Sequence, residues 1–292
     1  MDWVAWILTS SVFLAFYDLA KKASVRDNAV LPVLLVSTFV GSVVYVAALF
    51  FAGGVGQALG VSPRDFALIG VKSMIVATSW VLTYCALRTL PITIATPIRA
   101  SAPALVFVAA FFVYGEHPAL VQGAGMMLVF AGYWMFSWAG KHEGIDFLRS
   151  HAVWFAVGGM CMSALSSMWD KFILQRCAIP VETVQFWFQL GLVAIYALLL
   201  SGQHVFRLCH DSFKWRWSIP ATGVLLVAAD WLYFHGLAIP GVSIAAGSLL
   251  RRFSVVITFV LGAILFRERN LKRKGMALAA ILIGVILLCK SG

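Results

Sequence analysis

The sequence predicts an all-α membrane protein of ten transmembrane helices built as two inverted five-helix repeats, and three observations carry that reading. First, 62% of the 292 residues are hydrophobic and only 12% are charged, whereas a soluble domain is about one quarter charged and under half apolar. Second, the apolar residues fall into ten runs, most of them near the roughly 20 residues that cross about 30 Å of hydrocarbon. Third, the first half of the chain recurs in the second. A soluble enzyme, a secreted disulfide scaffold and a disordered tail are excluded, because each needs far more polar surface.

Polar, glycine or proline breaks delimit the ten runs in order. Span 3–20 ends at Lys21-Lys22, and 30–52 at Gly53-Gly54. Span 66–87 follows Arg64-Asp65 and stops at Arg88; 92–114 starts after Pro91 and stops before Glu116. Span 119–138 follows Pro118, and 152–174 runs from His151 toward Arg176. Then come 182–201 after Pro180, 218–238 after Arg216, 243–266 after Gly241, and 274–290 after Arg273. The connections at Leu90-Pro91 and Ile239-Pro240 are so short that the helices they join lie antiparallel and adjacent. The start of the chain lacks a basic segment before its apolar run, so it reads as a retained first helix and not a cleaved signal.

The repeat is read from scarce residues. An offset of 152 superposes Asp18 on Asp170, Arg99 on Arg251, Glu116 on Glu268, Gly123 on Gly275 and Gly132 on Gly284. Tyr84 with Tyr233 and Pro91 with Pro240 match at 149, which a three-residue insertion explains. The units are residues 1–145 and 146–292. Five spans per unit is an odd number, so the second unit enters the membrane the opposite way up, as in secondary transporters whose substrate site lies between halves. Counting Lys and Arg places 14 in loops 1–2, 3–4, 5–6, 7–8 and 9–10 against four on the other side. The positive-inside rule then puts both termini outside.

Charge and cysteine add little. A net charge of +10 reports loop topology and gives no reason to expect a nucleic-acid partner. The five cysteines, Cys85, Cys161, Cys177, Cys209 and Cys289, are scattered and form no CxxC pair. No HExxH, GxSxG or His/Cys cluster occurs, so neither an enzyme nor a cofactor or metal is expected.

Two segments, YCALRTLPITIATPIRASAPALVFVAAFFVYGE at 84–116 and YFHGLAIPGVSIAAGSLLRRFSVVITFVLGAILFRE at 233–268, each carry an aromatic turn, a small-residue helix and a terminal Glu. A glycine-bearing last helix follows each. The ten-helix duplication resembles EamA-type transporters of the drug/metabolite transporter superfamily along essentially the whole chain. The resemblance implies that helices 1, 3, 4, 6, 8 and 9 surround a central cavity, that 5 and 10 pack peripherally, and that a small metabolite moves by alternating access. It also implies cytoplasmic termini, opposite to the charge count. Segment 248–257, SLLRRFSVVI, is similar to the basic pair of sugar-phosphate translocators, distant relatives in that superfamily.

A charged residue at mid-membrane costs roughly 2.5–3.5 kcal/mol on insertion scales and therefore faces a cavity or a partner. Arg99, Arg251, Arg252 and Lys72 are the candidate substrate cations, because forked guanidinium donors match carboxylate and phosphate. The alternative pairs Arg99 and Arg251 with Asp18, Asp170 or Asp230 as scaffolding. Asp18, Asp170, Asp230 and the lone His235 are proton-coupling candidates, with an Asp18–Lys22 helix pair as the plainer role for Asp18. Trp80, Tyr84, Trp169 and Trp231 lie deep enough to stack on a ligand or to pack the interior. Pro97 and Pro103 in helix 4, with Gly241 and Gly247 opening helix 9, are hinge or gating candidates at corresponding places in the halves. Glu116 and Glu268, at helix ends beside His117 and Arg267, read as anchors. The glycines of helices 5 and 10 read as packing contacts.

The function expected is secondary transport of a small anionic or zwitterionic metabolite, coupled to protons or exchange, in a multi-pass protein of a bacterial inner membrane. A monomer suffices, and the partners are the substrate and the lipid bilayer. The alternatives are an exporter of aromatic amino acids or drugs with structural arginines, and a flippase for a phosphate-bearing lipid.

Overall fold

The computed structural model describes residues 3–100, 102, 105, 120–141, 148–173, 177–206, 212–237, 251, 253–267 and 270–289. Among them the chain is helical and has no strand. The helices are α1 (Trp3–Val25), α2 (Val30–Phe51), the short α3 (Val55–Leu59), α4 (Pro63–Thr89), α5 (Ile92–Ala100) and α6 (Leu120–Lys141). They continue with α7 (His151–Lys171), α8 (Val181–Phe206), α9 (Ser218–Leu237), α10 (Phe253–Leu265) and α11 (Leu271–Cys289). Each predicted span holds one of these helices over its described residues. Five, α1, α2, α4, α7 and α8, contain stretches long and apolar enough to cross a membrane.

The polarity of the molecule is turned inside out. Phe50, Phe51, Met127, Trp134 and Leu198 stand exposed, whereas Ser10, Ser37, Thr38, Ser42, Ser73, Ser79 and Thr222 are buried. A hydrocarbon solvent leaves hydroxyls no water, so they turn inward and back-bond to their own helices. Ser11 donates to Ile7 O at 2.9 Å, Thr38 to Leu34 O at 2.7 Å, and Ser42 to Thr38 O at 2.8 Å.

α1 packs along α9 and α10, α7 along α4 and α5, and α2 and α4 both meet α8. α6 pairs with α11, which also touches α5. There a Cβ on Gly132 would stand 2.9 Å from Ala277 O, and one on Gly284 would stand 2.6 Å from Gly125 O. The packing role expected of those two glycines is met by backbone-close contact.

The connections sort onto two ends. At one end Asn28 donates to Lys214 O at 2.7 Å and accepts from Lys214 N at 2.8 Å, while Arg216 donates to Ala23 O and Arg26 O at 2.6 Å each. The turn at Leu90 joins that end, because Lys22 Nζ donates to Leu87 O at 2.5 Å and Leu90 O at 2.7 Å. At the other end Trp187 donates to Ala58 O at 3.0 Å and Trp169 to Leu68 O at 3.0 Å.

Two boundaries move for a physical reason. The apolar reading ends α1 at Ala20, yet the helix runs on to Val25 with Lys21 and Lys22 only 1% and 6% exposed. Lys274, at the predicted start of the last span, is also fully buried, one helical turn inside α11. Lysines buried in this way do not mark a water-facing loop.

Candidate functional site

Three groups of ionisable side chains meet inside the bundle. In the first, Asp18 on α1 accepts from Arg99 Nη2 on α5 at 2.8 Å to Oδ1 and 2.6 Å to Oδ2. Lys21 Nζ, one turn on along α1, donates to the same Oδ1 at 2.7 Å. Asp18 is fully buried, Lys21 is 1% exposed, and the Arg99 side chain keeps 27% of its surface. Lys21 Nζ also lies 4.5 Å from the centre of the Tyr17 ring and 5.7 Å from that of Tyr84. Asp18 therefore turns to Lys21, three residues away, and to Arg99, whereas Lys22 caps the end of α4. The expected Asp18–Lys22 pair is replaced by these contacts.

The second group pairs Lys72 on α4 with Asp170 on α7, and Lys72 Nζ sits 4.7 Å above the Phe188 ring. In the third, Arg251 pairs with Asp230 on α9 and stacks 4.2 Å over the Tyr233 ring. Its Nε is buried with no hydrogen-bond acceptor among the described residues. The carboxylates here are less sealed than Asp18, with side-chain exposure of 35% for Asp170 and 23% for Asp230. The first two groups stand apart. Lys72 and Tyr84 are twelve residues apart on α4, about 18 Å of helix.

A small crevice, with room for little more than one water molecule, lies beside the first group and is lined by Tyr17, Ser37, Gly41, Trp80, Tyr84, Gln189 and Thr222 among others. Its wall comes from α1, α2, α4, α8 and α9. Gly41 and Gly223 bring α2 and α9 together at this wall. A Cβ on Gly223 would stand 2.1 Å from Ser37 O, and one on Gly41 would stand 3.2 Å from Gly223 O.

The predicted site residues divide accordingly. Trp80 and Tyr84 line the cavity, and Arg99 and Asp18 belong to the neighbouring group, whose Lys21 contacts the Tyr17 and Tyr84 rings. Trp169 packs on Phe172, with ring centres 5.4 Å apart, and Trp231 is 47% exposed, edge-on to Trp6. Pro97 is buried in α5. Arg252, Pro103, Gly241, Gly247, Glu116, His117, Glu268 and the side chain of His235 lie outside the described residues. Sequence reasoning missed Lys21, Tyr17, Gln189 and the Gly41–Gly223 crossing. The spacing of Asp18 and Lys21 by three on one helix was the available signal for the first of these.

An all-helical chain that buries its hydroxyls and pairs its charges internally belongs to the class of integral membrane proteins. Residues 1–138 match the model of the EamA-like transporter family, so this part of the chain is similar to EamA-type drug/metabolite transporters. Members of that family are transporters, and the match supports a membrane transporter of that type. A solved structure titled "Crystal structure of protein" superposes with a TM-score of 0.64 over 98% of this chain and 97% of its own, at 18% identity. At that identity the likeness is one of fold. A search of curated proteins gave no match.

Proposed function

We propose that the chain is a secondary transporter that moves a small anionic or zwitterionic organic metabolite by alternating access. The path is the central cavity between two inverted five-helix repeats, and the drive is protons or exchange. The observation that carries this reading is the cavity's position. It lies where α1, α2 and α4 of the first repeat meet α8 and α9 of the second, beside a cluster with two cations for one carboxylate.

Other features support the duplication. Exchanging the halves turns the contacts of α1 with α9 and α10 into those of α7 with α4 and α5. Left-handed residues Asp27 (φ 53°) and Ala178 (φ 52°) follow α1 and α7 at positions 151 residues apart. Alanine is rarely found in that region, so its presence there suits a turn imposed by the fold.

Arg99, Arg251 and Arg252 are the substrate cations of this reading, and the Nε of Arg251, unpartnered among the described residues, offers a donor to an anion. Lys72 is a fourth candidate. Trp80 and Tyr84 would flank the substrate's body, with Trp169 and Trp231 at greater remove. Asp170 is the carboxylate best placed to exchange protons, at 35% side-chain exposure, ahead of Asp18, Asp230 and His235. Pro97 and Pro103, with Gly241 and Gly247, would give the hinges. The protein is assigned to a bacterial inner membrane, with a monomer as the working unit.

A second reading, export of aromatic amino acids or drugs, draws on a specific observation: Arg99 and Arg251 are both held by carboxylates, while Tyr17, Trp80 and Tyr84 line the cavity. Thermal unfolding of detergent-purified protein separates the two. A ligand at a hundred times its Kd raises apparent stability by about 2.7 kcal/mol. Phosphorylated or carboxylate metabolites should stabilise the wild type and not Arg251→Gln. Stabilisation by aromatic or cationic compounds alone would reject the anionic reading in favour of the second.

A further inference from the structure

Asp18 is the only carboxylate among the described residues given two cationic partners by the ion pairs above. Lys21 holds Oδ1 at 2.7 Å from within α1, and Arg99 reaches both oxygens from α5. The two cations differ in access. Lys21 is sealed at 1% exposure under the Tyr17 and Tyr84 rings, while Arg99 keeps 27% of its side chain uncovered. One carboxylate against two cations leaves a surplus positive charge within the membrane-spanning part of the protein, where an uncompensated charge is costly. A guanidinium offers five donors, and two bonds from a single Nη2 to Asp18 leave its fork open.

We propose that Lys21 is a positioning residue that retains Asp18, so that Arg99 can be given over to a monoanionic group of the substrate, a carboxylate or a singly charged phosphate ester. Without Lys21, moving Arg99 onto an anion would strand a fully buried Asp18, and the pair would stay closed. With Lys21, Asp18 keeps a partner throughout and the arriving anion neutralises the surplus charge. Asp170 and Asp230 each have a single cation in the pairs described, so neither has the second cation that Asp18 has. The Tyr17 and Tyr84 rings line the crevice and also contact Lys21, which associates the anion end of the substrate with this part of the interior. This inference rests on the anionic reading above and assigns it a residue and a charge state.

The test uses purified full-length protein, with benzoate and inorganic phosphate as probes and benzyl alcohol as the uncharged control, read as the shift in thermal unfolding midpoint. Wild type should be stabilised by at least one of the anions and not by the control. Lys21→Met should lose at least nine tenths of that shift with Arg99 still in place, and Lys21→Arg should recover it. Asp18→Asn/Lys21→Met removes one charge of each sign and leaves Arg99 unclaimed, so it should also respond to the anion. The double variant carries the test if Lys21→Met does not fold. An undiminished shift in Lys21→Met, or none in the double variant while the wild type responds, would overturn the role of Lys21 alone. No anion shift in the wild type would overturn the anionic reading together with the inference built on it.

Discussion

The two halves of the chain hold their repeated charges differently. Asp18 and Arg99 of the first half are joined directly and share a third member, Lys21, deep in the interior. Their counterparts Asp170 and Arg251 are not given to each other. Asp170 is held by Lys72 and Arg251 by Asp230, both in more open surroundings. Lys72 and Asp230 have no charged counterpart at either repeat offset: Val224 and Ala221 stand opposite Lys72, and Thr78 and Val81 opposite Asp230. Two charges without a counterpart in the other half, Lys72 and Asp230, thus set the second set of ion pairs apart from the first.

That contrast orders the expected losses. Asp18→Asn should be the most damaging, because it leaves two interior cations without a carboxylate. Removing one member of a buried ionic group costs about 3–5 kcal/mol, so denaturant unfolding in detergent should show little folded protein. Next comes the helix crossing. Gly223→Ala forces a Cβ against Ser37 O, a backbone atom that cannot rotate away, and overpacking of this kind costs about 1–3 kcal/mol. Gly191→Ala meets Ser73 Oγ at 2.6 Å, a side chain that can turn, so its melting midpoint should fall less than that of Gly223→Ala.

Arg251→Gln comes third, and adding Asp230→Asn should recover part of the loss. A coupling of about 0.5–3 kcal/mol in the double-mutant cycle is expected, and additivity would show that the pair contributes nothing. Smallest is Lys72→Met. Asp170 keeps 35% of its side-chain surface, and partly exposed pairs contribute about 1 kcal/mol or less. A larger drop than for Arg251→Gln would reverse the ranking of the two second-half pairs.

Much of the fold was legible because lipid imposes it. Runs of apolar residues between charges and prolines located the helices. Two boundaries that moved, at Lys21-Lys22 and Lys274, are places where a lysine is held inside the protein. Local pattern does not show whether a cation has an interior partner. The site was half legible for the same reason. The scarcity of intramembrane charge singled out Asp18, Arg99, Lys72, Asp170, Asp230 and Arg251, while their pairing across 81, 98 and 21 residues depends on how the helices pack. Tyr17, Gln189 and Gly223 look ordinary in sequence, and only the meeting of α1, α2, α8 and α9 gives them a shared cavity.

The central claim is that one cavity between the halves opens to each side of the membrane in turn. The most direct measurement is sided labelling of Thr222→Cys, at the cavity wall, by a membrane-impermeant maleimide in oriented proteoliposomes, after the five native cysteines are changed to serine. The account predicts that the cysteine reacts from both faces and that a stabilising anion lowers the rate from one face while raising it from the other. Rates that rise and fall together at both faces, as in an open pore, or reaction from neither face, would contradict it.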